Sequence, residues 1–346
     1  MTEEINHDIE PLSQRNVAPL SYWRACHYRS EDIDEVCREI DREFMAARVA
    51  FNGSGDVTAT VTRKTWERQE GHYPTMINFF RALVAAFGAQ SLKGSIMVWL
   101  EDGLWEWQQR FSRRAPILAF GRRCDDYNTF LIPDPGFLEA GGYKKDLKSL
   151  KETEISWEKK IPSVFWRGAA TGLGIEGERW QETGRVRLTM LAKRMNDASK
   201  LDAKISRHSN ITDAEHLKRF EDAGILGEYC PFSDFLNYRY QIDVEGYCCA
   251  WMSFFLKLAS HSVTLKVQGD HEQWFYDRLV PWVHYVPVSA RLQELPDLIN
   301  WLQTHDEACR NIALNANAAL RPITFEHTAR QTVKLIEQIM ACQRES

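Results

Sequence analysis

The stretch that decides the fold reads DFLNYRYQIDVEGYCCAWMSFFLKL (residues 234–258), then SVTLKV (262–267), then PWVHYVPV (281–288). YRYQIDVEG alternates and stops at Gly246, WMSFFLKLA is apolar at helical spacing, and the two later segments are short β-branched runs. The pattern predicts strand, turn, helix, strand, helix, strand. In such an α/β segment ligands sit at the carboxyl ends of the strands, where helix N-termini present free N–H groups to anions. The turn at Glu245 and Gly246 is therefore the first place to look for a substrate. Asp243 and Glu245 alternate onto one side of the strand, where a carboxylate can accept hydrogen bonds from ribose hydroxyls, and the helix start up to Ser253 can hold phosphate. Cys248 and Cys249 have no histidine at a diagnostic spacing and read as packing residues.

Upstream, VFWRGAATG (164–172) is a strand ending in Arg167 and Gly168 and running into a loop of small residues. Glycine and alanine leave the backbone open, so N–H groups and a guanidinium can approach a phosphate there. The spacing fits neither the P-loop nor GxGxxG, and a plain strand turn explains it equally well. Arg185 and Arg187 follow at the start of a predicted helix. Alone they read as a solvated face; with Arg167 they make a converging cationic site for a diphosphate.

SIMVWL (95–100) reads as a buried strand that stops at Glu101, Asp102 and Gly103. Asp102 is the main candidate for a general base, because a carboxylate at the carboxyl edge of a sheet can reach an acceptor hydroxyl. Alternation points Glu101 the other way. Asp134, after TFLIP (129–133), holds an equivalent position, and for each of these carboxylates a cap or turn role competes. Helices are expected at 30–47 and 75–87.

At 346 residues, two domains are expected, with the boundary near residue 158 in the charged stretch 143–160. A net charge of −5 gives no reason to expect nucleic acid. The polar, acidic N-terminus and the lack of any long apolar run suggest a protein kept in the cytoplasm. Eight cysteines without CxxC spacing argue against a structural zinc site, and most read as buried thiols. Twelve tryptophans lean towards carbohydrate stacking, although core packing accounts for most tryptophans. WEWQQRFSRR (105–114) mixes Trp, Phe and Arg as peripheral membrane segments do, and reads equally well as a helix with a basic solvated face.

These motifs, taken in order, resemble glycosyltransferase family 90. That group includes Rumi-type protein O-glucosyltransferases, fungal capsule-associated xylosyltransferases and bacterial lipopolysaccharide-modifying transferases. The likeness runs from about Ser95 to Asn317 and is strongest from Tyr238 to Val288. It implies an α/β chain of GT-B architecture, with two Rossmann-like domains facing a cleft. Residues 1–158 would bind the acceptor, 159–325 would bind the UDP-sugar, and the amphipathic segment 326–346 would pack back on the first domain. It also implies an inverting enzyme that needs no metal or other cofactor. By the same resemblance Asp102 matches the general base, Arg167, Gly168 and Thr171 the donor loop, and Arg187 the arginine opening the next helix. Asp234, Glu245, Gly246 and Ser253 fall in the donor tract. Rumi-type enzymes carry an arginine in the helix after this glycine, where this chain has Trp251-Met252-Ser253, which resembles the bacterial and plant branch.

The leading expectation is transfer of a sugar from a UDP-sugar to a hydroxyl of a glycan or lipid-linked glycan such as lipopolysaccharide core. The alternatives are a protein hydroxyl as acceptor, or a non-catalytic protein that binds sugar nucleotides or glycans.

Overall fold

The computed structural model describes residues 13–68, 73–206 and 213–344; the polar N-terminal segment lies outside them up to residue 12. The chain divides into two compact α/β units, one reaching Pro133 and resuming at Glu326, the other spanning Asp134–Phe325.

The first unit is built on five strands, β1 (Ala46–Asn52), β2 (Val57–Val61), β3 (Lys93–Trp99), β4 (Ile117–Ala119) and β5 (Phe130–Leu131), in the order β2-β1-β3-β4-β5. β1 is antiparallel to β2 and β3, whereas β3, β4 and β5 are parallel. The helix expected over 30–47 ends at Ile40, and its last residues open a hairpin instead. The reason is period: Ala47, Val49 and Phe51 are buried in alternation, which a strand satisfies and a helix does not. Asn52 then closes the turn by accepting the N–H groups of Ser54 and Asp56 on its side-chain oxygen. At the other end of β3 the Trp99 indole donates to the Gly103 carbonyl at 3.1 Å, which fixes the loop that carries Asp102.

The main sheet of the second unit has six strands: β6 (Ile161–Gly168), β7 (Leu201–Ser206), β8 (Leu226–Gly227), β9 (Tyr238–Asp243), β10 (Val263–Val267) and β11 (Val286–Val288). All their pairings are parallel, and the order is β8-β7-β6-β9-β10-β11. Counted within the unit this is 3-2-1-4-5-6, the order of dinucleotide-binding sheets. β10 is buried at every position, its apolar residues broken by the buried Thr264 and Lys266. The order reverses between β6 and β9. The crevice at their carboxyl ends is the topological switch point, where such sheets bind ligands.

The division falls at Asp134 rather than near 158, because residues 134–158 pack on the second unit's own helix Met252–Ala259. The Phe137 and Tyr143 rings lie 6.3 and 5.3 Å from Phe255, and Phe137 lies 4.9 Å from Trp274. Asp134 is a cap: it accepts the Phe137 N–H at 3.0 Å, starting helix Pro135–Glu139, and the Tyr143 hydroxyl at 2.9 Å. The last helix, Phe325–Met340, lies from Glu326 onward in the first unit and buries Val333, Ile336, Ile339 and Met340. Among the described residues no helix is long and apolar enough to cross a membrane.

Asp134→Ala removes the cap and strands the buried Tyr143 hydroxyl. It should lower unfolding free energy by about 2 kcal/mol, as read by urea denaturation; an unchanged midpoint would contradict the capping role.

Candidate functional site

The site is built where β6 and β9 end. After β6 the chain passes through Ala169, Thr171 and Gly172 before reaching helix Gly184–Met195; after β9 it passes through Glu245 and Gly246 before reaching helix Met252–Ala259. Both helices therefore begin at the same sheet edge. Neither helix has a side-chain N-cap, since Thr183 turns its hydroxyl to the Trp180 carbonyl. The positive ends of the two helix dipoles lie at this edge, although in the second helix the Ser253 and Phe254 N–H groups already donate to the carbonyls of Ala250 and Trp251 at 3.1 and 3.2 Å. Trp251, just before the second helix, is held at φ 50 with ψ −133, a conformation that costs a bulky residue strain and persists only when its surroundings impose it.

The two loops touch. A Cβ on Gly246 would fall 2.4 Å from Thr171 Oγ1 and 3.0 Å from the Arg185 guanidinium, so only glycine allows this approach. Arg185 staples the loops from below, donating to the carbonyls of Ala169 at 2.9 Å, Glu245 at 3.2 Å and Val244 at 3.4 Å. Burial pulls its pKa down to about 10, with Asp243 and Glu245 opposing that shift. Three of its five N–H donors are thereby used, which leaves two.

Beneath the crevice lies a buried charge cluster. Asp243, fully buried at the end of β9, accepts from Lys257 at 2.8 Å and Lys266 at 2.9 Å. Burial alone would raise its carboxyl, but the two ammonium groups outweigh it and hold the pKa at about 2. Burial lowers Lys257, whereas Asp243 and Glu245 overcome burial at Lys266 and raise it. Glu245 lies 3.6 Å from Lys266 and 3.7 Å from His271, with its carboxylate packed against Gly269, where a Cβ would fall 2.0 Å from the carboxyl carbon. Glu245 Oε1 is buried and has no hydrogen-bond partner among the described residues.

The structure thus brings Thr171, Glu245, Gly246 and Arg185 together, with Ser253 in the first turn of the second helix. Gly168 serves its own strand, since a Cβ there would strike the Trp166 ring at 2.5 Å. Arg187 stands at the rim, donating to the carbonyls of Ala290 and Glu182. Arg167 turns away: its guanidinium lies over Phe165 and pairs with Asp202 at 2.8 Å. Asp234 belongs to the short helix Phe232–Phe235, which folds back along β9: the Phe235 carbonyl accepts from Gln241 at 2.8 Å and the Phe235 ring lies 5.9 Å from Lys257 Nζ. The guanidinium of Arg167 thus engages Asp202 and Phe165 rather than the Thr171–Gly246 contact. Asp102 follows β3 in the first unit, half-buried, while its neighbour Glu101 accepts the Met45 N–H at 2.9 Å. Cys248 and Cys249 are buried, as are Cys309 and Cys342; the other four thiols are half-buried or exposed. The residues that sequence reasoning missed are Lys257 and Lys266, whose signal is a lone lysine inside an apolar run.

The family description "Glycosyl transferase family 90" matches residues 101–338. The chain belongs to glycosyl transferase family 90. Human Protein O-glucosyltransferase 3 is 30% identical over 310 residues, covering 87% of this chain and 56% of that protein. The Aedes aegypti O-glucosyltransferase rumi homolog is 27% identical over 222 residues, covering 60% and 50%. The chain spans about half the length of the curated relatives it matches. Among solved structures, Anabaena Alr3699/HepE in complex with UDP and glucose superposes with a TM-score of 0.44 at 9% identity, covering 77% of this chain and 76% of that one. The α/β class and the doubly wound sheet of the second unit stand on the strand order itself.

Asp243→Asn leaves two buried ammonium groups facing a neutral amide and should cost about 3–5 kcal/mol, the range for breaking a buried ion pair. The folded pKa of Asp243 lies below its unfolded value, so its contribution is present above about pH 4 and is lost as pH falls towards 2. Urea melts from pH 7 to pH 2 should show the variant with a lower plateau and a shallower acid limb; parallel curves would contradict the assignment.

Proposed function

We propose that the chain transfers a sugar, glucose by analogy with its named relatives, from a UDP-sugar to an acceptor hydroxyl with inversion at the anomeric carbon. The observation that carries this reading is the convergence of two uncapped helix starts, two glycine-lined loops and Arg185 on one switch point. Such a crevice suits a diphosphate. The N–H groups that open helix Gly184–Met195 and the remaining Arg185 donors would meet its oxygens, with Arg187 at the rim and the Ser253 hydroxyl in the first turn of the second helix. Glu245 Oε1, buried and without a hydrogen-bond partner among the described residues, offers an acceptor to a ribose hydroxyl.

In the reaction Asp102 takes the proton of the acceptor hydroxyl as that oxygen bonds to the anomeric carbon. The bond from that carbon to the UDP oxygen breaks on the opposite face. Negative charge then grows on the departing diphosphate, where preorganised N–H donors and a guanidinium stabilise it more than they stabilise the bound donor. In this reading the protein's own cations and helix starts supply the electrophilic assistance, and no metal is required.

For the acceptor, the names of the curated relatives favour a protein side-chain hydroxyl. The Trp251-x-Ser253 tract favours the second reading, a surface glycan such as lipopolysaccharide core. Labelled UDP-glucose offered with folded protein acceptors and with lipid-linked glycan separates the two by which product carries the label.

Asp102→Asn should leave UDP affinity within about threefold and cut transfer by roughly a hundred- to ten-thousandfold. Near-normal transfer by this variant would remove Asp102 from the mechanism.

A further inference from the structure

The second unit contains a cavity of about 360 Å³ that the donor reading does not use. It lies at the amino edge of the sheet: Lys160 immediately precedes β6, and His261 and Ser262 precede β10. One full strand length separates it from the crevice at Gly246. Its volume is within the range of pockets that hold small ligands.

The wall is amphipathic. Helix Lys144–Glu152 buries none of its residues, yet Leu147 and Leu150 share a face and line the cavity together with Ile155. Lys151, one turn after Leu147 on the same helix, joins Lys160 and Arg321 as the cations of the lining. Lys160 is 2% exposed and donates to the Ser260 carbonyl at 2.9 Å and Ser262 Oγ at 2.7 Å, which leaves its third N–H without a described partner. No carboxylate among the described residues lies within ion-pair distance of it, and burial lowers its pKa to about 8. The side chains of Lys151 and Arg321 likewise form no ion pair among the described residues. The acid at the cavity, Glu154, is taken by His261 at 2.6 Å.

Two helix ends temper this positive field. Met252–Ala259 and Asp306–Leu320 both finish here, and each end carries about half a negative charge. Lys160 and Asn317 partly serve as caps to the first of them. Set against three cations, the helix ends and Glu154 leave an excess of roughly one positive charge. That suits a single anionic group and does not suit a polyphosphate.

We propose that this cavity binds an amphipathic monoanion, one carboxylate or phosphodiester group at the Lys151, Lys160 and Arg321 end with an apolar body against Leu147, Leu150 and Ile155. The site is separate from the donor crevice and does not depend on the transferase reading.

The test is calorimetric titration of the full chain with octanoate and, separately, with monomeric dihexanoyl phosphatidylglycerol, with octanol as the neutral control. Saturable one-to-one binding of either anion is expected, at least tenfold tighter than octanol and undisturbed by saturating UDP. A tighter octanoate would identify a free carboxylate as the preferred chemistry; a tighter phosphatidylglycerol would identify a lipid headgroup. The double variant Lys151→Gln/Arg321→Gln alters exposed side chains only, so it should melt like the parent and bind at least tenfold more weakly. Binding of neither anion, octanol binding as tightly, displacement by UDP, or an unaffected double variant would each overturn the proposal.

Discussion

The structure of the second unit depends on one buried carboxylate. Asp243 ends the strand beside the switch point and holds two lysines, one from the following helix and one from the next strand. Removing three charges from water is costly, and the interior returns that cost only when geometry and charge are matched. Here they are: the two ammonium groups keep Asp243 ionised, and it keeps them in place under the loops. With Glu245 and Arg185 added, three cations face two carboxylates beneath the crevice, a surplus of one positive charge at the point where an anionic leaving group would sit. The same interactions fix where β9 ends, how helix Met252–Ala259 begins, and which way the Glu245 carboxylate lies.

Much of the fold is legible in the chain. Parallel strands buried on both faces leave short β-branched runs, and β10 and β11 announce themselves that way, whereas β9 shows as an alternating segment and β6 as an apolar run ending in Arg167 and Gly168. The hairpin of β1 and β2 does not, although Asn52-Gly53 is a turn signal, because the apolar stripe of helix Ser30–Ile40 continues in register into Phe44 and hides the change of period. The boundary near 158 fails for a related reason: charge density marks helix Lys144–Glu152 as solvated but says nothing of the Phe137 and Tyr143 rings that tie the segment to Phe255.

For the site, sequence pattern locates sheet edges well and side-chain directions poorly. Glu245, Gly246 and Thr171 meet because each follows the end of a parallel strand. Arg167 is equivalent by position, but strand alternation puts it on the face of Phe165, where Asp202 on the neighbouring strand captures it. Arg185, two residues from the arginine that the family resemblance singled out, is the one that reaches both loops. Lys257 and Lys266 stay invisible to pattern reading, since a lysine in an apolar run declares its partner only once Asp243 is placed.

The central claim is that the cationic floor under Gly246 recognises the diphosphate, and that Arg185 rather than Arg167 is its guanidinium. Calorimetric titration of UDP into the parent protein, Arg185→Gln and Arg167→Gln tests this most directly, with melting curves confirming that each variant is folded. The account predicts at least a tenfold loss of affinity for Arg185→Gln and less than a threefold change for Arg167→Gln. Retained affinity in the first variant, or a larger loss in the second, would contradict it.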